Sequence, residues 1–117
     1  MDITSTDYAK LTGRSPSEAN PQRIRMAYLL FLARIGCSEE YFDTLTLKDA
    51  QIEAGKSWVC KMIEFLYDND DSPPEVTGFR LGKFEQKGRD YIDMSQMAFV
   101  DLLVKNSGLI RRKAKML

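Results

Sequence analysis

The sequence contains no histidine, and it has only two cysteines, Cys37 and Cys60. Without histidine, Ser-His-Asp catalysis, Cys-His catalysis and the zinc sites that use imidazole ligands are excluded. The two cysteines are far apart and form no Cys-x-x-Cys pair, so we expect two free thiols in a reducing compartment. Carboxylate and lysine chemistry is not excluded by these absences, but no acid/base pair stands out in the sequence.

Long hydrophobic runs are also missing. The longest apolar run spans residues 26–33, which is eight residues, whereas a membrane span needs about 20. The first residues lack the basic region and the apolar core of a signal peptide. A chain of 117 residues that is 44% hydrophobic and 29% charged is typical of one soluble globular domain. We therefore expect a cytoplasmic protein that does not contact a membrane.

The chain has no excess of charge of either sign, because 17 basic residues balance 17 acidic ones. Four of the basic residues lie within residues 111–117, which contain no acid, so residues 1–110 carry a net charge of −4. A typical nucleic-acid-binding protein is strongly basic overall. Any DNA-binding face would therefore be a local patch on a mildly acidic body.

The polar, turn-rich residues 1–20 predict a flexible N-terminal arm, residues 21–108 one domain, and residues 109–117 a basic C-terminal tail. The first strong helix signal is Asn20-Pro21, a cap followed by proline at the first helical position, with Gly36 at the other end. Apolar side chains cover most of the circumference of this helix. Such a helix must be buried by the core or by a partner chain, which favours a homodimer.

The order of elements over residues 45–92 is the most informative pattern. It predicts a short helix that opens at Thr46 and ends at Gly55, and a second amphipathic helix that is capped by Ser57. A Pro-rich turn and short strands over residues 76–84, with a tight turn at Gly82, follow. A long helix begins after Gly88. The expected apolar face of this last helix runs to Lys105 and consists of Tyr91, Ile92, Met94, Ser95, Ala98, Phe99, Leu102 and Leu103. The sequence therefore predicts a mainly α fold with a short β-hairpin.

This order resembles the winged helix-turn-helix of MarR-like transcriptional regulators. Residues 45–55 resemble the second helix and its turn, residues 57–66 resemble the recognition helix, and residues 84–89 resemble the step out of the wing. The resemblance covers residues 22–105. It implies a winged-helix-like domain whose long last helix contributes to a dimer.

The same resemblance implies that the protein is a small dimeric transcriptional regulator that binds double-stranded DNA. Three residues of the expected recognition helix would contact the major groove, and three cations of the wing would contact phosphates. The predicted DNA-binding residues are Lys56, Ser57, Lys61, Arg80, Lys83 and Lys87.

Two departures from the family pattern keep an alternative open. The turn after Gly55 is about two residues shorter than is usual in that family, and the exposed face of the expected recognition helix has no Arg or Asn to read bases. The alternative is a non-enzymatic protein-interaction module, such as an accessory or inhibitor protein, and the neutral net charge and the acidic segment 68–71 favour it. In neither hypothesis do we expect an enzyme, a catalytic residue, a cofactor or a metal site.

Overall fold

The computed structural model of the chain describes residues 1–72 and 88–109, apart from the side chains of residues 88–96. This part of the chain is helical, with one long central helix that contacts three others. The helices are α1 (Ser5–Thr12), α2 (Pro21–Ile35), α3 (Glu39–Asp43), α4 (Asp49–Asp68) and α5 (Gly88–Ser107), and a 3₁₀ turn, Pro16–Glu18, follows α1. Helices α1, α2 and α5 all pack on α4.

Local signals set the ends of the first two helices. In α1, the Thr4 hydroxyl accepts a hydrogen bond from the Asp7 N–H at 3.1 Å and the Asp7 carboxylate accepts one from the Thr4 N–H at 3.0 Å, a reciprocal capping box. In α2, the Asn20 side chain accepts from the N–H of Arg23 at 2.8 Å. Gly36 ends α2 with φ 76°, a left-handed conformation that costs glycine little. The predicted start and end of α2 are confirmed.

The core lies along α4. Trp58, Val59, Met62, Ile63 and Leu66 of this helix are completely or almost completely buried. One aromatic ring of α2 packs against both Trp58 and a ring of α3. The ring of Phe31 lies 5.6 Å from that of Trp58 and 5.8 Å from that of Phe42, measured between centroids. Burying side chains of this size supplies most of the driving force for folding.

The predicted helix-turn-helix is wrong, because α4 continues through Gly55 without a turn. The helix begins after Lys48 rather than at Thr46. Gly55 is buried and faces other side chains: a Cβ atom there would lie 3.0 Å from Met1 Cε and 3.2 Å from Phe31 Cζ. The glycine therefore permits a close approach of neighbouring segments and does not form a turn. The packing of these neighbours against the helix offsets the ~1 kcal/mol by which glycine disfavours a helix relative to alanine.

The winged-helix-like fold class is corrected accordingly. The main class, α, is confirmed, but the short β-hairpin is not seen: residues 1–72 and 88–109 contain no strand. The predicted hairpin, residues 76–84, lies outside the described residues. With one continuous helix in place of the second and recognition helices, the elements described do not form a helix-turn-helix.

Residues from both ends of the chain contribute to the core. Tyr8, in the segment that the sequence sets apart as an N-terminal arm, is completely buried, and its hydroxyl donates to Glu18 at 2.5 Å. Leu109, the first residue of the predicted tail, is also buried. The side-chain amide of Gln51 donates to the carbonyl of Ser107 at 3.0 Å, which fastens the end of α5 to the start of α4.

Candidate interaction surface

Helix α2 has apolar side chains on two opposite faces. Its inner face, including Ala27, Phe31 and Ile35, is buried against the core. On the opposite face, Met26 is 38% exposed and Leu29 45% exposed, and Ala33 is also exposed. Soluble helices usually carry polar residues on the face that points away from the core. The outer face of α2 is therefore apolar without a covering element in the described structure.

Helix α5 repeats this pattern. Its buried stripe consists of Met97, Val100 and Val104, whereas Phe99 is 68% exposed and Leu102 52% exposed. Of the described members of the predicted apolar face, Leu103 packs against the core, whereas Ala98, Phe99 and Leu102 are exposed. We call the exposed side chains of the two helices the outer apolar surface. Its members are Met26, Leu29, Ala33, Phe99 and Leu102.

A polar junction holds α2 beside α5. The Arg34 guanidinium donates to both oxygens of Asp101, from Nε at 2.7 Å and from Nη2 at 2.6 Å. The indole N–H of Trp58 donates to Asp101 Oδ1 at 3.0 Å. Side chains of α2, α4 and α5 thus meet at one carboxylate, and two-point Arg–carboxylate pairs fix orientation well. The two outer stripes therefore lie on neighbouring helices that are fixed to each other.

The charges of α2 are neutralised by residues from elsewhere in the chain. This helix contains three arginines and no acidic residue. Besides the Arg34 pair, Arg25 donates twice to Glu39, at 2.7 and 2.9 Å, and Arg23 donates twice to Asp71, at 2.5 and 3.0 Å. Each pairing raises the pKa of the arginine, and the hydrogen bonds from Arg25 hold the pKa of Glu39 below its usual value. The outer apolar surface is consequently bordered by neutral ion pairs.

The described members of the predicted DNA-binding set lie along α4. Lys56 Nζ is 3.6 Å from Asp7 of α1, and Lys61 Nζ is 2.8 Å from Glu64. Ser57, which lies between the two lysines in the sequence, is partly buried. Both lysines are therefore next to carboxylates of the same chain. Arg80, Lys83 and Lys87 lie outside the described residues.

A polar cluster near the end of α4 joins it to the loop after α1. Arg14 donates to Glu64 at 2.8 Å and to both oxygens of Asp68, and its Nε lies 2.8 Å from Glu18. Burial alone would raise the pKa of Glu64, but hydrogen bonds from Lys61 and Arg14 outweigh this and lower it. The Arg14 hydrogen bonds also lower the pKa of Asp68. The cluster has a structural role, because its charges are satisfied within the chain.

Two further features of the described residues are a surface groove and a buried thiol. A surface groove of about 400 Å³ is lined by Met1, Asp2, Ile3, Pro21, Ile24, Arg25, Tyr28 and Glu39. Its facing arginine and glutamate bind each other, as described above. Cys60 is buried, which raises the pKa of its thiol to about 12, so it is a poor nucleophile. Among the described residues, no group of three or more Cys, Asp or Glu side chains is arranged to hold a metal ion.

The sequence indicates one half of the outer apolar surface and does not indicate the other. The excess of apolar residues in α2 was visible as a run that covers most of the helix. The sequence does not indicate that Phe99 and Leu102 are exposed. Apolar residues at neighbouring positions of α5 could form the buried face of the helix equally well. The one sequence signal for this exposure is that α5 carries two apolar stripes, and both cannot face the same core.

Comparisons with known proteins identify no relative of this chain. No protein-family model matches the chain, and neither a curated protein nor a solved structure is significantly similar to it. Within the described part of the chain, no helix is both long enough and apolar enough to cross a membrane.

Proposed function

We propose that this protein is a non-enzymatic interaction module that binds another protein chain through the outer apolar surface. The observation that carries the proposal is the exposure of Leu29 and Phe99 on adjacent helices whose inner faces are already buried. Large contiguous apolar patches on the surface of a soluble domain often mark interaction sites. Aromatic and large aliphatic side chains are also the residues that contribute most binding energy at protein interfaces.

The charges favour a protein partner over a phosphate backbone on the described part of the chain. Residues 1–72 contain eight basic and twelve acidic residues. Every arginine among them forms an ion pair with a carboxylate of the same chain. Binding a phosphate there would require breaking these pairs. An apolar contact surface requires no such exchange.

Site-specific photo-crosslinking in the cells that produce the protein tests this proposal. A photo-reactive phenylalanine derivative is placed at Leu29, at Phe99 or, as the matched control, at the exposed Glu53 of α4. We expect protein adducts from the first two positions and none from the third. The adduct is then identified, and the purified partner should bind the wild-type protein but not a Leu29→Lys variant. Absence of any position-specific protein adduct would refute the proposal.

DNA binding is a second proposal, and the sequence distribution of charge supports it. Residues 73–87 and 110–117 together contain seven basic and two acidic residues, including Arg80, Lys83 and Lys87. Binding through these cations would be electrostatic and therefore steeply salt-dependent. It requires neither a winged helix nor a recognition helix.

A fluorescence titration against random-sequence duplex tests this second proposal. We expect binding at about 50 mM salt that fades steeply by about 200 mM. The double variant Lys83→Glu/Lys87→Glu should lose this binding. A separate Lys61→Glu variant asks whether α4 participates, and unchanged binding would remove that helix from the interface. No binding by the wild-type protein at low salt would exclude DNA as a partner.

A further inference from the structure

We propose that the partner that covers the outer apolar surface is a second copy of this chain, joined by antiparallel packing of α2 against α2 about a two-fold axis near Leu29 and Leu30. This inference rests on the proposed function, because it names the occupant of the same surface. Two-fold dimers use the same patch twice, so the patch must fit itself in shape and in charge.

The outer face of α2 is complementary to itself in size. Its exposed residues, Met26, Leu29 and Ala33, are spaced by three and four positions, which places them in one row along the helix. An antiparallel pair that crosses at Leu29 and the half-buried Leu30 places the long Met26 of one copy beside the small Ala33 of the other. Ridges of large side chains then pack into grooves over small ones, as in ordinary helix pairs.

The face is also complementary to itself in charge. The helix contributes Arg23, Arg25 and Arg34 and no carboxylate, which by itself would make two copies repel. Pairing of these arginines with Asp71, Glu39 and Asp101 removes that repulsion. A partner that is selected by opposite charge would need unpaired charge at this border. Neutral borders instead suit two identical surfaces.

Helix α5 extends the contact beyond a single pair of helices. One helix face alone buries less than the roughly 1,200 Å² or more that stable interfaces typically bury in total. Phe99 and Leu102 lie on the neighbouring helix, which the Arg34–Asp101 pair holds in place. Their side chains enlarge the apolar area on each copy. A contact that includes both stripes would bury more area than a contact of α2 alone.

Sedimentation equilibrium and light scattering of the purified chain test the assembly directly. We expect a dimer mass at micromolar concentrations for the wild-type protein and a monomer mass for Leu29→Lys. A Glu53→Lys variant, with the same residue introduced on an exposed part of α4, should remain a dimer. Far-UV circular dichroism of each variant shows that the helices are intact, because position 29 does not face the core.

Disulfide trapping tests the position of the axis. In a Cys37→Ser background, Leu29→Cys should form a disulfide-linked dimer on mild oxidation. Residues at a two-fold axis approach each other to within the ~4.4–6.8 Å between Cα atoms that a disulfide needs. Glu53→Cys should not form one. The native Cys60 does not interfere, since it is buried.

The results separate this inference from the proposed function. A wild-type chain that stays monomeric up to about 100 μM, the weak end of specific association, overturns the inference. If photo-crosslinking at Leu29 then captures a different protein whose purified form binds the surface, the proposed function still holds. If the chain is dimeric but Leu29→Lys and Leu29→Cys behave like their Glu53 controls, the dimer uses another surface and the inference is again wrong.

Discussion

At the scale of a single residue, Gly55 shows how a contact can override a propensity. Alanine favours a helix over glycine by roughly 1 kcal/mol, so Gly55→Ala would stabilise an exposed site. Here the added methyl group meets Met1 and the confined ring of Phe31, and overpacking a core costs about 1–3 kcal/mol. We expect net destabilisation of about 1 kcal/mol in urea unfolding. A Glu53→Ala variant on the same helix should lose no stability, and a more stable Gly55→Ala protein would contradict the close packing.

Arg14 provides a prediction on pH at the same scale. Its hydrogen bonds help to hold the folded pKa values of Glu64 and Asp68 below their usual values of 4.5 and 3.8. A lowered folded pKa stabilises the protein above the unfolded pKa, and this contribution is lost as the pH falls through the folded pKa. Arg14→Gln should therefore lower the Tm at pH 7 by a few degrees. The difference from wild type should shrink below about pH 4, and a difference that stays constant with pH would argue against these ion pairs.

At the scale of elements, Asp101 determines how α5 sits on α2 and α4. Asp101→Asn removes the charge that Arg34 binds and weakens the contact with the indole of Trp58. Charged hydrogen bonds of this kind contribute about 1.5–3 kcal/mol each. We expect a loss of roughly 2 kcal/mol in the free energy of unfolding. Glu53→Gln neutralises an exposed carboxylate for comparison, and an equal, small effect of both changes would show that the junction contributes little.

Elements with local signals could be predicted from the sequence. Helix α2 begins and ends where Asn20, Pro21 and Gly36 predict, because caps and a left-handed glycine act within a few residues. Gly55 could not be interpreted in the same way. A glycine that permits close packing and one that forms a turn have the same local sequence. Only residues distant in sequence, Met1 and Phe31, distinguish the two cases.

The candidate site was predictable only in part for a similar reason. The apolar excess of α2 indicated that a second surface had to cover it. The neutral border of that surface depends on ion pairs of the α2 arginines with Glu39, Asp71 and Asp101. These carboxylates are distant in sequence from their arginines, so the sequence does not indicate the pairing. The exposure of Phe99 depends on which stripe of α5 packs on α4. Such choices are made by tertiary packing rather than by helical periodicity.

At the scale of the whole molecule, assembly should be visible in thermal stability. If folded chains associate and unfolded ones do not, mass action raises the Tm with protein concentration. We expect the Tm of the wild-type protein to increase by several degrees over a hundredfold range of concentration. The Tm of Leu29→Lys should not change over that range. A wild-type Tm that is independent of concentration would contradict a dimer that is coupled to folding.

The junction at Asp101 also gives the molecule a spectroscopic probe. Trp58 is the chain's single tryptophan, it is completely buried, and its indole N–H binds the carboxylate that joins α2 and α5. Its emission should therefore be shifted to shorter wavelength and protected from iodide quenching. Loosening of α5 alone should expose the indole before α4 melts. Tryptophan fluorescence would then report separation of these helices earlier than circular dichroism reports loss of helix.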